Sequence, residues 1–567
     1  LNNSALQAGI VTVSPLPGSR DAAPTTQISF RGAPAAELRI ASVAGALSGR
    51  HAGRLLPYSQ GDGASFLPQK PFTPGERVVV RAQLTAGGHT QSLIDQFVVA
   101  ERDYLSSTPQ RTYAGHPAES QGFVSRPDLH PPAVTVTANS PGTEGGDVFL
   151  APYAGPGQAG PMILDGSGGL VWFKPLPARV SATNFRTQLW EGQPVLTWWQ
   201  GDISEHGYGL GRDVIMDSSY TEIASVSGGN GLKADLHDFQ LGSNGVAYVT
   251  AYDPVYCNLS ADGGPADGAV SDGMVQEIDV RTGLVRYEWT SLDHVGLNES
   301  YERPAGSSTT WPFDYFHINS VNVDGDSSLL ISSRNTWTVY ALDPRSGRVI
   351  WRLGGKRSSF RQGSGTRTAW QHDPRELRDG TISIFDNGAS PAVRKESRAL
   401  VLNVDPLHRV ATVLAQFTHG PPLLAESQGN MQALANGDWF VGWGQVPDFS
   451  EYGPQGQLLF DGHLPAKAES YRSFRFAWSA TPAHRPTFAF AAPVVYASWN
   501  GATQVASWMV LAGPAAGALR PVAAALRSGF ETPITLPAGV GGPVLAVQAL
   551  DAAGNMLGTS PAASQPH

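Results

Sequence analysis

Phe316-His317-Ile318-Asn319-Ser320-Val321, followed by Gly325 and then Leu329-Leu330-Ile331-Ser332, is the stretch that decides the fold, because the chain repeats it. The same frame recurs at Leu236-His237-Asp238-Phe239-Gln240-Leu241 with Gly245 and Val246-Ala247-Tyr248-Val249, and at Gln371-His372-Asp373-Pro374 with Gly380 and Ile382-Ser383-Ile384-Phe385. In all three copies the histidine precedes the turn glycine by eight residues. Two further copies carry other residues there: Asn184 before Gly192 and Val195-Leu196-Thr197-Trp198, and Gly429 before Gly437 and Trp439-Phe440-Val441. The frame therefore starts at 184, 237, 317, 372 and 429, at intervals of 53, 80, 55 and 57 residues. Such periods suit one four-stranded propeller blade per repeat, with a long insertion at about 253 to 312.

Working outward, Gly169-Leu170-Val171-Trp172, Gly283 to Trp289 and Gly347-Arg348-Val349-Ile350-Trp351 read as outer-strand endings whose aromatic residues pack between blades. With Asp147-Val148-Phe149-Leu150 and the strands from Ser470 to Trp478 closing the ring, the count comes to about six blades. Before them, Ile28-Ser29-Phe30, Leu38-Arg39-Ile40 and Arg77-Val78-Val79-Val80-Arg81 are short strands separated by glycine and proline turns, the pattern of a small Ig-like sandwich. After them, Pro493 to Ser498, Ala506 to Leu511 and Val544 to Asp551 alternate as in a fibronectin-like sandwich. The expected organisation is all-β: an N-terminal β-sandwich over 1–105, a Pro-rich linker over 106–140, a β-propeller over 141–485 and a C-terminal β-sandwich over 486–567. Composition agrees, since 64 Gly, 43 Pro and 15% charged residues in 567 favour many short strands and tight turns over helices.

A net charge of −9 without a basic run excludes an extended nucleic-acid surface, so any anion must be held by a local pocket. Cys257 is the one cysteine, which rules out an internal disulfide and any site built on paired thiolates, and it reads as a small buried apolar residue. No stretch approaches the ~20 apolar residues needed to span a bilayer. The chain begins at Leu1 and not at Met, and a secreted or periplasmic location with a removed leader is the expectation.

In a propeller the inner strand of every blade runs beside the central channel, so equivalent frame positions converge on one funnel. His237, His317 and His372 should then face one another. Imidazole serves as nucleophile, proton shuttle or anion donor near neutral pH. Arg334, at the end of Ser332-Ser333-Arg334-Asn335, adds a permanent cation whose planar fork suits a tetrahedral oxyanion. Three histidines also suit zinc, but a neighbouring guanidinium repels a metal ion, so no metal is expected. Asp238 and Asp373 each follow a histidine directly and point to the opposite face of an extended strand, toward turn or interblade donors.

Phe313-Asp314-Tyr315-Phe316-His317-Ile318-Asn319-Ser320-Val321, Leu330-Ile331-Ser332-Ser333-Arg334-Asn335, Val349-Ile350-Trp351-Arg352-Leu353-Gly354-Gly355, Trp370-Gln371-His372-Asp373 and Ile384-Phe385-Asp386-Asn387-Gly388 together resemble the bacterial arylsulfotransferase family, the nucleotide-independent arylsulfate sulfotransferases. The likeness runs from roughly 140 to 480 and leaves the flanking sandwiches outside. It implies a six-bladed propeller that moves a sulfuryl group from an aryl sulfate donor to a phenolic acceptor by a ping-pong route through a sulfohistidine, with no cofactor. By motif match, His372 is the nucleophile and His317 the general acid and base. His237, Asn319 and Arg334 take the oxyanion-binding positions. Asn319 and, from the fifth frame copy Gln428-Gly429-Asn430, Asn430 are the substrate-binding candidates, although the sequence assigns that copy no contacts. Two rival readings stand beside this one. Ala341 to Trp351 resembles a tryptophan-docking repeat of quinone-dependent dehydrogenase propellers, and the accessory sandwiches suit a non-catalytic extracellular binding propeller. The natural donor and acceptor and the oligomeric state are not encoded in any motif.

Overall fold

The computed structural model describes residues 11–86, 89–103, 116–324, 328–539 and 543–564; Gly325, the turn glycine of the middle frame copy, lies outside them. The chain is all-β, and the helical elements among the described residues are three-residue 3-10 turns.

Between 147 and 476 six sheets of four or five strands follow one another, antiparallel except where Arg361–Gln362 pairs parallel with Val410–Phe417, with a two-stranded ladder of Pro152–Ala154 and Glu469–Ser470 beside them; each of the six has a characteristic strand at one edge. Those edge strands are Ser181–Trp190, Phe239–Leu241, Ile318–Asp324, His372–Glu376, Asn430–Ala433 and Phe474–Phe476. The last belongs to the first sheet, where Phe474–Phe476 pairs with Asp147–Leu150. Each consecutive pair of sheets shares one apolar core, and so do the sixth and the first through Val148, Leu164, Phe440 and Phe460. Period-2 alternation builds these cores: Leu329 and Ile331 face the cluster on one side of their sheet, and Leu330 between them faces the next. Because both faces are covered, the strands read in the sequence as unbroken apolar runs.

Side-chain amides join neighbouring sheets. An edge strand presents unpaired N–H and C=O groups, and a carboxamide offers one acceptor and two donors to meet them. Gln188 accepts from the Leu241 amide at 2.8 Å and donates to the Phe239 carbonyl at 3.2 Å. Gln240 does the same to Val323, and Gln432 accepts from the Arg475 amide at 2.8 Å and donates to its carbonyl at 2.8 Å.

Two four-stranded sheets before this region enclose Ile28, Phe30, Val78, Val80 and Phe97. After it, two sheets enclose Val495, Trp508, Val510 and Val547. Two features differ from the sequence reading. Thr135–Asn139, inside the expected linker, pairs with Leu458–His463 and covers the outer edge of the sixth sheet. The expected insertion is in part a hairpin: Val246–Cys257 and Gly268–Asp279 pair along their full length, which leaves the irregular part between Thr290 and Ile318. Cys257 is half-buried at the margin of a core.

Candidate active site

The histidine frame sits where each edge strand begins, and there the ladder is irregular. The register shifts between Thr183 and Arg186, between Ile318 and Ser320, and between His372 and Arg375. A bulge of this kind re-aims side chains and sharpens the local twist. The backbone records the cost, with φ of +58° at Asn184, +52° at His317, +52° at Asp373 and +66° at Gln428. For residues other than glycine this region is sparsely populated and costs about 1–3 kcal/mol each, a strain concentrated at functional sites.

These bulges bring the predicted residues together. The rings of His237 and His317 lie 4.9 Å apart and perpendicular. Tyr471 bridges to the third histidine, with its ring 5.6 Å from His237 and 6.3 Å from His372. Arg334 lies over the Trp370 ring at 4.8 Å, two residues before His372, and its charge acts on the His372 and His317 rings.

The partners of the three imidazoles differ. His237 Nδ1 meets Asp235 Oδ2 at 2.6 Å, and His317 Nδ1 meets Asp314 Oδ2 at 2.5 Å. Burial works against the Asp235 charge, but His237 and the amides of Gly209 and His237 outweigh it and hold this carboxyl below its ordinary range. His372 has a neutral partner instead: its Nδ1 donates to Asn387 Oδ1 at 2.7 Å and to the Trp370 carbonyl at 3.1 Å, while Nε2 accepts from the Gln428 amide at 3.1 Å. That pattern fixes the tautomer, with the lone pair on Nε2. Burial first, then Arg334, push His372 well below the ordinary histidine pKa, so its ring is neutral at pH 7. Burial also lowers His317, by more than Asp314 restores.

Arg334 donates to Asn335 Oδ1 at 2.9 Å and to the carbonyls of Glu426 and Ser390 at 3.2 and 3.5 Å. Among the described residues it forms no salt bridge, unlike the other arginines near the axis. Arg472, fully buried, reaches Asn184 Oδ1 and Asp238 Oδ1 at 2.9 Å each, and the Asn319 carbonyl and Asp373 Oδ1 at 3.1 Å each. Arg375 pairs with Asp238 Oδ2 at 2.7 Å. His237 and His372 therefore face the site while the aspartate after each, Asp238 and Asp373, faces this ion network. A cavity of about 2030 Å³ shares Arg186, Asp373 and Arg375 with the network and is lined by none of the three histidines. It is a separate space from the imidazole cluster.

The two asparagines predicted to bind substrate are committed elsewhere. Asn319 Nδ2 donates to the Gln371 carbonyl at 2.7 Å, next to His372, and its Oδ1 is buried without a partner. Asn430 Nδ2 donates to the Ser473 carbonyl at 2.8 Å and its Oδ1 accepts from the Ser473 amide at 2.9 Å, so this side chain latches the sixth sheet to the first. The contribution of the fifth frame copy comes instead from the Gln428 amide on His372 Nε2. It depends on Gly429, whose φ is +99° and where a Cβ would lie 2.6 Å from the Phe385 ring. Gly429→Ala should lower stability by about 1–3 kcal/mol through overpacking and displace the Gln428 amide; thermal melting and transfer rate read the two effects.

Sequence reasoning missed Asp235, Asp314, Asn387 and Tyr471. For the first two the signal was present, an aspartate two or three residues ahead of a frame histidine. Asn387 lay inside a quoted motif with no role attached. For Tyr471 nothing local to the sequence points to the axis.

The all-β chain thus gathers two buried imidazoles, His237 and His372, and the partly buried His317 near the Arg334 guanidinium, which forms no salt bridge among the described residues. Residues 186–464 match the model of the arylsulfotransferase (ASST) family, and this segment belongs to that family, whose activity is sulfuryl transfer. No curated protein matches the chain. Solved structures similar to it include a protein of unknown function from Bacteroides caccae, with 11% identity and a TM-score of 0.35 over 58% of this chain and 99% of that one. An auxiliary nutrient binding protein from Bacteroides ovatus has 10% identity and a TM-score of 0.30 over 86% and 95%. A quinonprotein alcohol dehydrogenase-like protein from Bacteroides thetaiotaomicron has 10% identity and a TM-score of 0.26 over 81% and 96%. No helix among the described residues is long and apolar enough to cross a membrane.

Proposed function

We propose that this protein transfers a sulfuryl group from an aryl sulfate to a phenol in two half-reactions joined by a sulfohistidine on His372. The observation that carries the reading is the sorting of partners: two imidazoles backed by carboxylates, one backed by a neutral amide, and one partly buried guanidinium that pairs with no carboxylate among the described residues.

The sorting assigns roles. A carboxylate stabilises an imidazolium, so His317 with Asp314 is suited to carry a proton, whereas Asn387 keeps His372 neutral with Nε2 free to attack. In the first half-reaction the Nε2 lone pair leaves the Gln428 amide and attacks sulfur. An N–S bond forms, the S–O(aryl) bond breaks and the aryl oxygen departs as phenoxide, which takes no proton from the neutral His317. In the second, His317 accepts the proton of the incoming phenol, its oxygen attacks sulfur and the N–S bond breaks. Sulfuryl transfer, like phosphoryl transfer, has a loose transition state with charge spread over the peripheral oxygens, so Arg334 and His237 act by positioning and charge. Asn319 holds the Gln371 carbonyl beside the nucleophile, and Asn430 serves as a latch.

In this reading the six sheets with their cyclic succession of cores are the blades of a six-bladed propeller over 141–485. The units over 1–105 and 486–567 are β-sandwiches, and 106–140 is a connector that lends one strand. Export from the cytoplasm fits this organisation.

Incubation with 4-nitrophenyl sulfate in the absence of acceptor should leave the protein about 80 Da heavier by intact mass, with the adduct on His372, and a phenol should remove it. Failure of the wild type to form an adduct with any of a panel of aryl sulfates refutes the mechanism. Arg334→Gln has a second signature. Arg334 lowers the His372 pKa, so its removal raises that pKa and moves the acidic limb of the kcat/KM profile to higher pH. The rate at the optimum should fall by about 100- to 1000-fold, the usual loss for one oxyanion donor. A profile that keeps its acidic limb would separate Arg334 from the nucleophile.

A further inference from the structure

We propose that the Tyr471 hydroxyl is a further catalytic donor, one that binds a peripheral sulfuryl oxygen in the transition state; this rests on the sulfuryl-transfer reading above. Tyr471 is 2% exposed, and its hydroxyl is buried without a hydrogen-bond partner. Buried tyrosine hydroxyls usually find a partner, because leaving one unpaired costs about 1–3 kcal/mol. The neighbouring tyrosines follow that rule: Tyr252 donates to the Ile318 carbonyl at 2.7 Å and Tyr153 to Glu469 at 2.6 Å. Tyr287, remote from the histidines, and Tyr471, whose ring meets both His237 and His372, are the two described tyrosines with a buried unpaired hydroxyl.

Its surroundings fit a donor to an anion. The ring rests against the Arg472 guanidinium, 5.3 Å from the centroid, on the axis side of the imidazole cluster. Burial raises the phenol pKa, so the proton stays on oxygen and the group acts as a donor, not as a base. A sulfuryl group carries three peripheral oxygens, and the planar fork of Arg334 matches two of them. A third donor, unsatisfied at rest and carried by a ring 6.3 Å from that of His372, completes the set, and the desolvation already incurred is recovered only when the anion arrives. No proton moves: the hydroxyl donates a hydrogen bond while the N–S bond forms and the S–O bond breaks.

The unpaired state makes Tyr471→Phe a clean test, because the change removes no contact made by the hydroxyl. Sulfo-enzyme formation from 4-nitrophenyl sulfate is followed by release of 4-nitrophenol and by intact mass, alongside thermal melting. The expected result is a fall of about 100-fold in kcat and in kcat/KM, with KM little changed and a melting temperature at or above that of the wild type. Sulfo-enzyme formation within about 3-fold of the wild type overturns the proposal, and so does a rate loss matched by a lower melting temperature, which marks a structural role. A wild type that forms no adduct overturns the parent reading, and this one with it, before any variant is compared.

Discussion

His372→Ala should abolish the sulfo-adduct and lower aryl transfer by about 10,000-fold or more, because no other imidazole can take over the attack. His237 and His317 each pair Nδ1 with a carboxylate, and only His372 has the neutral Asn387 partner and an Nε2 that accepts from a backbone amide. The variant also strands Asn387 Oδ1 and the Gln428 amide, at a cost of about 1–3 kcal/mol, so circular dichroism and thermal melting must show a folded protein before the rate is compared. Transfer at wild-type rate by folded His372→Ala would end the sulfohistidine mechanism.

The second large effect is on stability. Arg472→Met should destabilise the chain by about 3–5 kcal/mol, the range for a buried charge that loses its partner. Asp238 and Asp373 would each lose a guanidinium contact, and the carbonyl of Asn319 and the amide oxygen of Asn184 would lose their donor. Arg375 still pairs with both aspartates, which sets the upper bound on the loss. Arg472→Lys should recover little, since an ammonium cannot reach four acceptors spread over four edge strands. Denaturant unfolding measures both, and an Arg472→Met midpoint equal to that of the wild type would show the network to be dispensable.

Much of this was legible in the chain. The spacing of His237, His317 and His372 before a turn glycine carries topology as well as chemistry, because equal positions in a repeat meet at one place in space. That Asp238 and Asp373 turn away from their histidines was expected from strand alternation, but Asp238 precedes its strand and Asp373 sits at a bulge with φ of +52°, so local turns and not alternation separate them. What escaped was long-range pairing. Asn430 looked like a ligand because a carboxamide near a site has two equally good uses, and only the position of Ser473 decides between them. The linker looked structureless because Thr135–Asn139 is an outer edge strand whose alternation is mostly exposed, so it lacks the apolar run that marks the strands beneath it. Tyr471 and Arg472 stayed silent because their meaning comes from the closing strand's return to the axis.

The seam of the central region joins the earliest and latest parts of its chain three times, once through Pro152–Ala154 paired with Glu469–Ser470. Phe474–Phe476 completes the first sheet, and Thr135–Asn139 completes the sixth. During vectorial synthesis the first sheet therefore waits, edge unfilled, until nearly the whole region has left the ribosome, and the Tyr471 ring joins the imidazole cluster only then. A truncated product that stops short of that strand leaves the first sheet with an open edge.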